Sequence, residues 1–190
     1  PDAAFSWDKL LTGKLMFVHG GQPQAMLAYA MHKQGVDLSQ VPALNAGSTA
    51  NMMAEWHKGQ GEYFHEQGPY PQQLEQQQVA HVVASVGEVI GPVAFSTLSA
   101  TREWLKTPEA VRFMRAYRKA REWVSSAPAA EIARAEQSFF PDIDQGALTK
   151  TIAFYQTLGC WNPSVLISPQ TYEAALDVFQ HSKLITRRHA

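Results

Sequence analysis

Up to about residue 100 the apolar positions fall into short runs separated by stretches of helical spacing, and beyond it only the helical spacing continues. The runs Leu15 to Val18, Val41 to Leu44, Glu62 to His65, Val79 to Val86 and Val93 to Thr97 each suit a strand. Between the first three lie two helices. Pro23 to Gln34 brings Met26, Leu27, Ala30 and Met31 to one face and stops at Gly35, a favoured residue just past a helix end. Thr49 to Lys58 follows Ser48, whose hydroxyl can cap it, and stops at Gly59. The order βαβαβ predicts an α/β unit over residues 1–100, with a mostly parallel five-stranded sheet covered by helices. Pro69 and Pro71 open a short glutamine-rich helix, Gln72 to Gln78, ahead of the fourth run.

Residues 101–190 predict a helical region with readable caps. Thr107-Pro108-Glu109 begins a long helix in which Val111, Met114, Tyr117 and Val124 form a stripe for burial. Pro128 to Gln137 is a second helix. Asp144 precedes a third, which carries Leu148, Ile152 and Tyr155 on one face and ends at Gly159. Ser168-Pro169 opens a fourth, with Tyr172, Leu176 and Phe179 aligned. Helices with apolar stripes need a surface to cover, and the α/β unit already has helices of its own, so this arrangement reads as part of a larger assembly.

The candidate chemistry lies where the first three strands end. Strand one runs into His19-Gly20-Gly21-Gln22-Pro23, and Pro23 at the first helical position loses no N–H bond. Gly20 and Gly21 permit tight backbone angles and leave room for a bound group, while the positive helix end favours an anion or a carbonyl. Ligands of open α/β sheets sit beyond the carboxyl ends of the strands. The candidate ligand-binding residues are therefore His19, Gly20, Gly21, Gln22, Gly47, Ser48, Thr49, Tyr63, His65 and Glu66. Alternation along Glu62 to His65 puts Tyr63 and His65 on one face. Two of these have simpler readings, Ser48 as a cap and Glu66 as a solvated loop carboxylate. Trp56, Trp104, Trp123 and Trp161 could stack on a planar ligand, but helical spacing favours core or interface roles for three of them.

Composition removes several function classes. The chain has 190 residues, 45% of them apolar, with 16 Lys and Arg against 17 Asp and Glu for a net charge of −1. That balance marks neither a nucleic-acid binder nor a membrane-surface protein, and no apolar run is long enough to cross a bilayer. Cys160 stands alone, which excludes an internal disulfide and a cysteine-based zinc cluster. The seven histidines show no metal-ligand spacing, so no metal and no cofactor are expected. No nucleophile-elbow, P-loop or G-x-G-x-x-G motif is present. The N-terminal stretch from Pro1 to Trp7 lacks the pattern of a signal peptide, and the basic tail from Lys183 to His189 reads as a solvated terminus.

The order of these motifs resembles the type II periplasmic solute-binding proteins of ABC importers, in particular the branch handling nitrate, sulfonates, taurine and thiamine-pyrimidine precursors. The resemblance is carried by Gly13-Lys14, Gly20-Gly21-Gln22-Pro23 and Gly35-Val36-Asp37, then Gly47-Ser48-Thr49 and Lys58-Gly59. Glu66-Gln67-Gly68-Pro69, Gly91-Pro92-Val93, Trp104-Leu105, Thr107-Pro108-Glu109 and Ala129-Ala130-Glu131 continue it. The turn Gly59-Gln60-Gly61-Glu62 departs from the glycine-aspartate pattern of that family, and its opening βαβ segment has no counterpart here. The resemblance implies a second lobe over residues 1–100, with residues 101–190 covering lobe one. It implies a non-catalytic periplasmic protein that captures a small organic anion or heteroaromatic between lobes and delivers it to an ABC permease. Two alternatives share the scaffold: an enzyme synthesising a pyrimidine precursor, and a cytoplasmic effector-sensing domain. Exposed helices would also allow a homodimer.

Overall fold

The computed structural model describes residues 5–188, so the first four residues of the N-terminal stretch and the end of the basic tail at His189 lie outside the described residues. Three parallel strands, β1 (Leu15–Phe17), β2 (Ala43–Leu44) and β3 (Tyr63–His65), form one sheet in the order β2-β1-β3. Leu15 lies opposite Ala43 and Tyr63, Met16 opposite Leu44 and Phe64, and Phe17 opposite His65. The central strand is covered on both faces, which is why Leu15, Met16 and Phe17 are all buried and consecutive.

Helix α1 (Gly21–Lys33) joins β1 to β2, and α2 (Thr49–His57) joins β2 to β3, in the predicted βαβαβ order. The α1 face that contains Ala25, Met26, Leu27, Ala30 and Met31 is buried. The helix ends as its sequence predicts: Gly35 adopts φ 77°, and the Val36 N–H donates to the Met31 carbonyl at 2.9 Å. Pro23 is the third helical residue rather than the first, still within the turn whose N–H groups have no helical acceptor.

The expected five-stranded sheet is corrected to three strands among the described residues. The run from Val79 to Val86 is consumed by helix ends. The Val79 N–H closes helix α3 (Tyr70–Gln76) on the Leu74 carbonyl, the Val82 N–H donates to Glu75 Oε1, and Ser85 caps the short α4 (Val86–Ile90). Val93 to Thr97 is apolar because Val93 and Phe95 pack beside Met26, Ile90 and Val178. Its hydrogen bonds go to a helix and a side chain: the Ala94 N–H donates to the Thr171 carbonyl, and the Phe95 carbonyl accepts from Gln22 Nε2. Neither run meets a strand edge, so apolar content alone misstates them. The five-stranded type II solute-binding fold therefore does not describe this chain.

The second half is helical as predicted: α5 (Pro108–Ser126), α6 (Ala129–Glu136), α7 (Gln145–Thr157) and α8 (Pro169–His181). Thr107, Asp144 and Ser168 accept from first-turn N–H groups of α5, α7 and α8. Ile132, Ala133, Leu148 and Ile152 join α6 to α7. Val178 of α8 packs into α1 beside Ala25, Met26 and Ala30, and α7 packs against α3. The expected buried stripe of α5 is corrected as well. Val111 is 59% exposed, Met114, Tyr117 and Val124 are half-buried, and Ala110 alone is fully buried. Its apolar residues span a wide arc, and among the described residues only one edge of that arc meets the body.

Candidate functional site

Beyond β1 the chain must leave a buried strand and enter a helix within a few residues. It does so through Gly20 at φ 89° and Gly21 at φ 64°, a left-handed pair closed to most residues. A Cβ at Gly20 would meet nothing within 4 Å, so backbone conformation rather than space demands glycine there. The Gly20 N–H donates to Gln24 Oε1, while those of Gly21 and Gln22 have no acceptor among the described residues. His19 stacks on Phe17 with ring centroids 4.2 Å apart and planes 7° from parallel.

A hollow of about 510 Å³ opens beside Phe17, His19, Gly20 and Gly21. Leu38 and Ser39, on the approach to β2, form a second wall, and His181, Ser182 and Leu184 at the end of α8 form a third. Among the described residues no Lys, Arg, Asp or Glu lines it. A smaller adjoining hollow of about 350 Å³ shares His181 and Leu38 and reaches His32 and Asp37. His181 stacks on His32 at 4.4 Å, and Tyr29 meets it edge-on at 5.5 Å. Burial lowers the His181 pKa, His32 lowers it further, and Asp37 works in the opposite direction. Asp37 is itself held below the usual carboxylate range by the Ser39 N–H it accepts.

The other predicted residues fall into a second group or turn elsewhere. At the exit of β3, Glu66 Oε2 accepts from the Thr49 hydroxyl at 2.8 Å, and its Oε1 accepts from the Gln67 N–H. Ser48 caps α2 by accepting from the Asn51 N–H at 3.2 Å, and the Gly47 N–H donates to Asn45 Oδ1. Gln22 is turned toward the Phe95 carbonyl. Tyr63 packs against the core formed by Leu15, Phe17 and Leu27, with Phe5 edge-on at 5.8 Å. His65 keeps some surface, but its ring sits deep enough that burial lowers its pKa to about 4, so it is neutral at physiological pH.

The structure thus gathers His19, Gly20 and Gly21 at one hollow and pairs Thr49 with Glu66, while Gln22, Gly47, Ser48, Tyr63 and His65 line neither hollow. Sequence reasoning missed Gln24, Ser39, His181 and Ser182. Asp37-Leu38-Ser39 carried a signal, since aspartate accepts from the N–H two residues on. His181 and Ser182 carried none, because they reach the hollow only when α8 docks on α1. Tyr155, expected on one helix face with Leu148 and Ile152, uses its hydroxyl to accept from the Gly68 N–H at 3.0 Å, and burial raises its pKa. Among the described residues no group of three His, Cys, Asp or Glu is placed to share a metal ion.

No protein-family model matches the chain, and no solved structure matches it significantly. Over 183 residues it is 30% identical to a protein of Bacillus subtilis (strain 168) named "Putative binding protein YtlA", an alignment covering 94% of this chain and 54% of that protein. The chain spans about half the length of this curated relative. The similarity supports a binding-protein relationship, without naming a substrate or an importer.

Proposed function

We propose that this chain forms part of the solute-binding component of an ABC-type importer, working outside the cytoplasmic membrane and handing its solute to a permease. The observation that carries this reading is the hollow of about 510 Å³ at the exit of β1, in a chain similar over nearly its whole length to a named binding protein. A volume of that size suits a small organic molecule. Its position beyond a parallel strand and against a helix N-terminus is where open α/β sheets hold ligands. The ligand class is a small organic anion or heteroaromatic. Capture needs no bond making: backbone N–H groups at the start of α1, the His19 ring and the Ser39 hydroxyl supply recognition.

Native mass spectrometry of the purified chain, followed by a thermal-shift screen of small solutes, tests the reading. The expected result is a bound solute that is lost in Ser39→Trp, an exposed position where the larger ring fills the hollow. A chain that binds no solute in either experiment, or binds one equally well after Ser39→Trp, refutes it.

A further inference from the structure

The near-neutral total charge hides an uneven distribution. Residues 102–122 hold seven Lys and Arg against three Glu, a net +4, while the rest of the chain holds nine against 14 Asp and Glu, a net −5. Most of the positive segment is helix α5, whose apolar arc meets the body along one edge only. The helix alone carries five cations against two carboxylates, Glu109 and Glu122. Arg112, Arg115 and Lys119 recur at helical spacing and form one exposed row. Arg112 pairs with Glu109 one turn back, but among the described residues Arg115, Arg118 and Lys119 have no carboxylate within ion-pair distance. Arg121 is engaged elsewhere: its guanidinium donates to the Asn162 carbonyl at 2.9 Å and lies over the Tyr117 ring.

Beside the basic row runs an apolar one. Phe113, Ala116, Ala120 and Trp123 also recur at helical spacing, and all four are exposed. Trp104 meets Phe113 edge-on at 5.9 Å and Tyr117 stacks on it at 6.1 Å, so its neighbours hold that ring at the surface. From Phe113 to Trp123 the strip is about 15 Å long, and at a full helix width of about 10 Å it covers roughly 150 Å². A stable protein interface takes about 800 Å² from each partner, so a folded protein gains too little here. A lipid surface needs no matched shape. Shallow insertion of aromatic side chains and the summed attraction of several cations suffice, and aromatic rings flanked by Lys and Arg settle at headgroup level.

We infer that the exposed face of α5 docks on an anionic phospholipid surface, with Arg112, Arg115 and Lys119 at the headgroup phosphates and Phe113 and Trp123 inserted at headgroup level. The inference uses no residue of the hollow, so it stands or falls apart from the solute-binding reading.

Cosedimentation of the full chain with vesicles tests it. Vesicles of phosphatidylglycerol and phosphatidylcholine in equal parts are compared with vesicles of phosphatidylcholine alone, at low salt. The chain is expected to bind the anionic vesicles about ten-fold or more tightly, with added salt weakening the difference. Arg115→Glu with Lys119→Glu, both at exposed positions, should abolish that preference while circular dichroism shows the fold unchanged. Lipids brominated near the headgroup should quench tryptophan fluorescence, and less so in Trp123→Phe. Equal binding to both vesicles, binding to neither, or an anionic preference that survives the double substitution overturns the inference. Binding confined to poly-L-glutamate, with the vesicles left free, assigns the face to an acidic protein and overturns it as well.

Discussion

Removing one oxygen atom, in Tyr155→Phe, tests how the helical half of the chain is fastened to the exit of β3. The Tyr155 hydroxyl accepts the Gly68 N–H at 3.0 Å across a separation of 87 residues. The space around Gly68 is already full: a Cβ there would lie 2.5 Å from Thr151 Cγ2 and 3.2 Å from Gln72 Oε1. Gln72 is buried, and its Oε1 has no hydrogen-bond partner. Water therefore cannot readily replace the lost hydroxyl, and the N–H is left unpaired in a half-buried setting at a cost of about 1–2 kcal/mol. The phenylalanine ring retains the edge contact with Trp161 at 5.6 Å, so packing loss adds little. For a chain of this size that loss lowers Tm by about 3–6 °C. Urea unfolding followed by circular dichroism, with an unchanged slope, measures it. A change within about 0.5 kcal/mol, the span of neutral surface substitutions, would show that this bond does not fasten the two halves.

Three other substitutions probe separate parts of the argument. Gly61 holds φ 88°, and an added Cβ would sit 2.6 Å from Met16 Sδ, so Gly61→Ala should destabilise by about 2–4 kcal/mol; a near-neutral result in chemical denaturation would mean that Met16 moves aside freely. Ser48→Ala should cost about 1 kcal/mol and Ser48→Gly only a few tenths, both without loss of ligand, if Ser48 serves α2 as a cap rather than the solute. For His65 the folded pKa is near 4 against an ordinary 6.5, so the unfolded chain takes up the proton first. Stability is then complete above pH 6.5 and declines as the pH falls toward 4, by at most about 3 kcal/mol. Unfolding curves of wild type and His65→Gln across that range should diverge, and parallel curves would exclude His65 as the source.

Much of the local structure was legible because its causes are local. The glycines at 35, 59 and 159 all adopt positive φ at helix ends, and Ser48, Thr107, Asp144 and Ser168 all cap as expected. Helix α3 shows the limit: it ends in the same left-handed manner on Gln78 at φ 59°, a residue without glycine's freedom, and no sequence signal announces it. The errors lie where an apolar run has two possible partners. Val82 and Val83 look like strand residues and are exposed, while Val93 and Phe95 look the same and are packed against α1, α4 and α8. Period and composition cannot distinguish a strand edge from a helix face as the covering surface. The same ambiguity misplaced the α5 stripe, where Val111 was assigned to the core and Ala110 occupies it.

The candidate site divides along that line too. Its first wall, His19 to Gly21, follows from a strand, two glycines and a helix adjacent in sequence. Its far wall exists only because Val178, fully buried, seats α8 between residues of α1, with the Ser182 hydroxyl donating to the Ala25 carbonyl and His181 lying on His32. Arg188 draws the chain after α8 back by pairing with Glu173 and Asp177. The hollow is therefore a product of tertiary docking, and a solute that touches both walls binds the docked arrangement alone. By linkage such a solute must tighten α8 on α1 in proportion to its own affinity, and whatever loosens α8 must release the solute. On the proposed reading, that coupling gives the second half of the chain a role at the candidate site of the first, through one helix end and with no Lys, Arg, Asp or Glu among the described residues that line the hollow.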